Sequence, residues 1–432
     1  MQNHKIIGVQ DKVPVKLLIP LSIQHMFAMF GASVLVPFMF GINPAIVLFM
    51  NGIGTLLFIL ITKGKAPAYL GSSFAFLGGG IIVIEQFGYE YALGGFVVVG
   101  ALGCVLSFII YKFGTKWIDI VLPPAAMGPV VALIGLELSA TAANNAHIIS
   151  DGTTPIDPKN VIVFLVTLGV AVFGSVLFRK FLAVIPVLIA IIAGYIAAVI
   201  TGIVSFDNIA AAPLFSMPQF MLPKFDIQAI LILLPVLLVT TSEHIGHQVV
   251  TSEIVGKDLL KDPGLHRSLF ADNFSTMISG LIGSVPTTTY GENIGVMAMT
   301  RVYSVRVIGG AAVLSIICSF VGKLTELIRT IPDPVIGGIS FLLYGMIGVS
   351  GIRILVDSKV DFGRSRNMAM TSVIFVTGLS GVSISFGAVK LSGMVLACVV
   401  GMIMGLLFFV FDKFHWTNDL DQAEQPETQE KQ

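Results

Sequence analysis

The sequence predicts an all-α polytopic membrane protein, with fourteen transmembrane segments in two inverted seven-span repeats. Three observations predict it. Charge is scarce: of 432 residues only 12% are charged and 55% are hydrophobic, with a mean hydropathy of +0.92. A soluble domain carries roughly 25% charged residues, so this chain lacks the polar surface of a water-soluble globule. Apolar runs of the length a bilayer requires, about 20 residues, recur along the whole chain. Finally, basic residues gather on alternate connections between those runs.

Lipid offers no hydrogen-bond partner to a backbone, so each span must be a helix or belong to a closed barrel. Runs such as VIVFLVTLGVAVFGSVLF lack the polar alternation of a barrel strand. The expected spans are 16–37, 43–62, 67–87, 91–111, 118–139, 160–178, 181–203, 227–249, 267–284, 287–303, 307–328, 333–352, 368–388 and 392–412. Residues 1–15 read as a cytoplasmic N-terminus without a cleavable-signal pattern. The first repeat begins at 16 and its seventh span ends near 203; 204–226 is an external linker; the second repeat covers 227–412. The polar tail 413–432 is expected to be disordered and cytoplasmic. With the N-terminus inside and every span crossing, 20 of the 25 basic residues fall on the inside; Lys159, Lys224, Lys323, Arg329 and Lys390 do not.

Net charge is zero, which argues against a nucleic-acid partner. The three cysteines, Cys104, Cys318 and Cys398, lie in apolar runs without metal or disulfide spacing.

The repeat is carried by short matches. Gln24–His25 in the first span and Glu243–His244 in the eighth are 219 residues apart. The same offset sets Ser73 in the third span against Glu292 in the tenth, and Phe74 against Asn293. Pro124 and Gly128 match Pro334 and Gly338. Seven spans is an odd number, so the halves must be inverted, the architecture of secondary transporters.

Along the chain, the first span holds Gln24 and His25, which either support a site or bond to a neighbouring helix. The third and tenth spans are both interrupted by Pro, Gly and hydroxyl residues, the pattern of discontinuous helices around a midplane site. Ser72–Phe76 and Thr287–Tyr290 read as short extended segments, each leading into a half-helix whose free amides can donate to a ligand. Glu137 falls near the outer end of the fifth span and reads as an interface residue.

Glu243 and Glu292 carry the functional expectation. An acid at bilayer depth is costly and by default marks a substrate site or a proton relay. Glu243 and His247 are four residues apart and share a helical face, so they can exchange a proton; His244 points about 100° away. The order Glu–His–x–x–His matches neither zinc-helix motif, so no metal is expected. Two carboxylates beside broken-helix amides fit a small planar heterocyclic amide, with Phe74 or Tyr344 covering its face. A simple anion would be repelled.

The segment Glu292–Arg301, ENIGVMAMTR, carries the signature of the nucleobase–ascorbate transporter family, and the runs KAPAYLGSSFAF, LPPAAMG, SEHIGH and KDPGLHRS are similar to its bacterial pyrimidine branch. The resemblance extends over residues 8–412. It implies a core and a gate domain, short antiparallel strands in spans 3 and 10, and a gate-mediated homodimer in the bacterial cytoplasmic membrane with both termini cytoplasmic. It also implies proton-coupled uptake of uracil by alternating access, with no cofactor besides the coupling proton. Carried over residue by residue, Glu243 and Glu292 would contact uracil. Phe74, Ser73 and Tyr290 would line the pocket, and Gly291 would offer a main-chain contact. His247 would couple the proton, with Gln24, His25 and Asn293 in support and Tyr344 on the gate side. Members carrying xanthine or urate usually have Gln in place of Glu292. Another nucleobase, an anion on the same scaffold, or an intramembrane enzyme using Glu243 and His247 are the competing readings.

Overall fold

The computed structural model describes residues 6–149, 155–179, 182–386 and 389–417. Most of the expected tail, 418–432, and the first five residues lie outside the described residues, as do Lys180 and Lys431. The chain is mostly helical, and eight helices among the described residues are long and apolar enough to cross a membrane. Shorter apolar helices, including Pro186–Ile200 and Val305–Ser319, lie beside them.

Local sequence sets many helix starts. Asn43, Asp157 and Asp226 each cap a helix, accepting from backbone N–H groups at Ala45, Lys159 and Gln228. Pro44 and Pro158 follow directly, where the missing N–H has no cost. Prolines also break expected spans. The fifth is split at Pro123 into Lys116–Val121 and Pro124–Leu136. The eighth divides near Pro235 into Ile227–Leu233 and Val236–Val255, and extends past the expected end at 249. The thirteenth is helical only from Ser365 to Leu379; a hairpin of β3 (Ser383–Phe386) and β4 (Val389–Ser392) follows.

Two groups of helices pack mainly within themselves. In one, Leu265–Ile282 lies along Tyr89–Phe113, and Val305–Ser319 lies against Pro44–Ile61 and Val15–Ala28. In the other, Asp333–Asp357 packs on Pro124–Leu136 and Pro158–Leu177, and Ser365–Leu379 on Gly393–Lys413. Without a hydrophobic drive between helices in lipid, close approach must come from small residues. A Cβ at Gly103 would sit 1.9 Å from Asn273 Oδ1, so only glycine permits that crossing.

Between the helices of the first group lie two short strands. β1 (Leu70–Ser72) pairs antiparallel with β2 (Thr287–Thr289), with Gly71 opposite Thr288. Both are fully buried. Hydroxyls from adjacent helices pin them. Thr55 Oγ1 accepts from Leu70 N at 2.9 Å, while Thr276 Oγ1 donates to Thr287 O at 2.7 Å and accepts from Thr287 N at 3.2 Å. These bonds satisfy backbone groups that two isolated three-residue strands would leave orphaned. After β1 the chain is not extended as far as the sequence suggested: Phe74–Phe76 forms a turn of 3₁₀ helix running into Leu77–Phe87. After β2, Tyr290 is extended and the helix Gly291–Thr300 begins.

Candidate functional site

The two strands end beside two helix N-termini, at Ser73 and Tyr290. The first N–H groups of such a helix have no partner within it and carry its positive dipole end. Glu292 lies in the first turn of Gly291–Thr300. Across from it, Glu243 projects from the middle of Val236–Val255. Glu243, Glu292 and the Tyr290 phenol form one electrostatically linked group, with Asp272 also within reach of Glu243. Acids from chain segments about fifty residues apart thus converge at the strand ends. Among the described residues, no group of His, Cys, Asp or Glu side chains is arranged to hold a metal ion.

One face of this group is open. A Cβ at Gly246 or Gly295 would meet nothing within 4 Å, and one at Gly291 would meet only His247 Nε2, at 3.4 Å. Phe74 is half-buried, its ring centroid 6.4 Å from that of Tyr290 and tilted by 44°. The Tyr290 hydroxyl donates to Ser72 O at 2.7 Å. Gly71 makes room for this, since a Cβ there would lie 2.8 Å from the Tyr290 ring. Ser73 donates its N–H to Pro286 O at 2.8 Å, and its buried hydroxyl has no partner among the described residues. Tyr344 is buried in Asp333–Asp357, on the other helix group.

The supporting residues divide. Asn293 Nδ2 lies 3.1 Å from His25 Nδ1 and donates to His25 O at 3.0 Å, so His25 serves as an interhelical partner. Gln24 is buried in the same helix. His247 Nδ1 lies 3.0 Å from Thr289 Oγ1, tying the helix to β2.

A second layer escaped the sequence reading. His244 is fully buried; its Nδ1 lies 3.0 Å from Asp272 Oδ2 and its Nε2 lies 3.0 Å from Ser268 Oγ. Thr289 Oγ1 is also 3.5 Å from His244 Nδ1, and Thr288 donates to Asp272 at 3.4 Å. A polar chain therefore runs from His247 through Thr289 to His244 and Asp272. The signal was present, because Asp272 is a lone acid inside an expected span, as Glu243 is.

The sequence profile described as the Permease family matches residues 16–388. The chain belongs to this family, the nucleobase–ascorbate transporters. It is a membrane transporter and not an enzyme. Over 407 residues it is 55% identical to the uracil permease of Escherichia coli strain K12, covering 94% of both chains. It is 52% identical over 421 residues to that of Paenibacillus larvae, covering 96% of this chain and all of the relative. The Bacillus subtilis uracil permease is 45% identical over 418 residues, with 94% and 96% covered. Among solved structures, murine Solute Carrier 26 family member A9 superposes with a TM-score of 0.70 at 10% identity, over 93% of this chain and 69% of that one. The transmembrane domain of the cyanobacterial bicarbonate transporter BicA gives 0.64 at 12% identity, over 94% and 98%. Those two likenesses concern the fold alone. In this permease, the polar chain and the open acidic face occupy the paired strands and the helices around them.

Proposed function

We propose that this permease takes up uracil across the bacterial cytoplasmic membrane together with a proton, by alternating access. The observation that carries the proposal is the convergence of Glu243 and Glu292 beside the N-terminus of Gly291–Thr300. A pyrimidine-dione offers two ring N–H donors and two carbonyl acceptors. The carboxylates accept from the ring N–H groups, while the free amides around Tyr290 and Gly291 donate to the carbonyls. Phe74 covers the ring face and the Ser73 hydroxyl lines the wall. The uracil permease relatives, up to 55% identical, support the choice of substrate. Glu at position 292, rather than Gln, favours a pyrimidine over xanthine.

Proton coupling follows from Glu243 and His247. Occluding two charged acids in a dry site is costly, and binding a proton there reduces that cost. Proton and uracil then cross together. The helix group that holds the site acts as the core and moves against the other group, the gate, which contributes Tyr344 and a homodimer contact. Fourteen crossings in two inverted repeats fit the paired strands, each pinned by a threonine from the adjoining helix. Both termini are cytoplasmic in this reading. An anion substrate is disfavoured by the paired acids.

The test is uptake of radiolabelled uracil into proteoliposomes with and without an imposed pH gradient. An inward proton gradient should accelerate uptake. Glu243→Gln should abolish the acceleration, and Glu292→Gln should weaken uracil binding by about tenfold, the loss of one charge-assisted hydrogen bond. Unchanged affinity and pH dependence in both folded variants would overturn the proposal, as would equal flux of a simple anion.

A further inference from the structure

We propose that this permease carries a docking site for an anionic phospholipid on the outer flank of the helix group holding the strands, with Arg267 as the phosphate ligand. The site is a groove of about 230 Å³ lined by Ile61, Ser107, Phe108, His266, Arg267 and Phe270. Its walls are apolar and its rim is basic. That pairing suits a molecule with an acyl chain and a negatively charged head, and suits neither a free ion nor a neutral lipid.

Charge complementarity argues for the occupant. Arg267 is half-buried and has no hydrogen-bond or acidic partner among the described residues. The acids nearest in sequence are engaged elsewhere: Asp262 pairs with Lys65 at 2.7 Å, Asp272 lies 3.0 Å from His244, and Asp258 pairs with Lys261 at 3.0 Å. His266 lines the groove beside Arg267, its ring 4.5 Å from that of Tyr111. Lys112, in the last turn of Tyr89–Phe113, and Lys116, which begins the next helix, are both exposed. An arginine fork matches phosphate geometry better than a point charge does.

Depth argues for lipid rather than a soluble phosphate. Phe108, Tyr111 and Phe113 are 62%, 65% and 75% exposed in this otherwise apolar region. Tyrosine is the aromatic residue among them that marks the level of lipid headgroups, and the two exposed phenylalanines flank Tyr111 in sequence. Phe108 packs edge-on against Phe270, at 5.8 Å between centroids, which forms the greasy wall below Arg267. Basic pockets between membrane helices at this level hold anionic headgroups. By the charge pattern of the connections this end faces the cytoplasm, so the lipid would come from the inner leaflet. The groove shares no residue with the paired strands and does not depend on which substrate is carried.

The experiment is native mass spectrometry of the full-length protein mixed in detergent with phosphatidylglycerol or phosphatidylcholine. Wild type should retain phosphatidylglycerol in preference, and inorganic phosphate should not displace it. Arg267→Gln should lower the phosphatidylglycerol-bound fraction about fivefold, the effect of one basic residue at an anionic surface. Arg267→Lys should restore part of that loss. Phe108→Asp, at an exposed position, should lower retention independently if Arg267→Gln proves unstable. Equal retention of both lipids by wild type, an unchanged bound fraction in the variants, or displacement by phosphate would overturn the assignment.

Discussion

Inside a membrane, a polar side chain is stable only when another group answers it. His244 and Asp272 answer one another at 3.0 Å, both almost wholly buried. Removing one partner of such a pair leaves the other stranded, at a cost of about 3–5 kcal/mol. Asp272→Ala should therefore lower the melting temperature of the purified protein sharply. Asp272→Asn, which keeps an acceptor oxygen, should lower it less. Equal melting of both variants and wild type would mean the pair is structurally idle. Tyr290 has a different role from its acidic neighbours, because its hydroxyl is spent on Ser72 O. Tyr290→Phe should cost about 1 kcal/mol of stability and change uracil affinity little. A large affinity loss without destabilisation would show that the hydroxyl turns to the ligand during transport.

Two three-residue strands cannot persist alone. Here they hold because each edge is served by a hydroxyl from a neighbouring helix. Thr276 is the more exposed to test, since its one hydroxyl bonds both N and O of Thr287. Thr276→Val keeps the volume but strands two backbone groups, each costing about 1–3 kcal/mol when buried. The expected outcome is a loss of thermal stability together with weakened uracil binding, since β2 leads directly into the turn bearing Glu292. A stable variant with intact binding would mean that strand register does not govern the acid's position.

Transport requires the two helix groups to move relative to each other, so a covalent tie between them should stop it. Gly79 offers a place: a Cβ there would lie 3.5 Å from Val395 Cγ2, on Gly393–Lys413 of the other group. That contact places the two positions side by side, as a cross-link between them requires. Gly79→Cys with Val395→Cys should block uptake when oxidised and recover with reductant, in a background where the free thiols Cys104, Cys318 and Cys398 are replaced. Uptake undiminished by an oxidised link would rule out relative motion at this contact.

Much of this molecule could be read from its chain because the bilayer is a severe solvent. It demands long apolar helices, so composition and run length alone determined a helical membrane protein, and lone acids such as Glu243 and Glu292 stood out against that background. The turn signals Asn43–Pro44 and Asp157–Pro158 likewise marked helix starts, being local chemistry. Tertiary structure alone decided what those acids meet. His244 finds Asp272 across 28 residues, His25 finds Asn293 across 268, and β1 finds β2 across more than two hundred. It also decided that Phe74–Phe76 coils instead of extending, and that the Tyr290 hydroxyl faces the strand. The physical reason is range. Hydropathy and capping act within a turn or two of helix, whereas a buried polar group is satisfied by whichever distant segment the packing of helices brings within 3 Å.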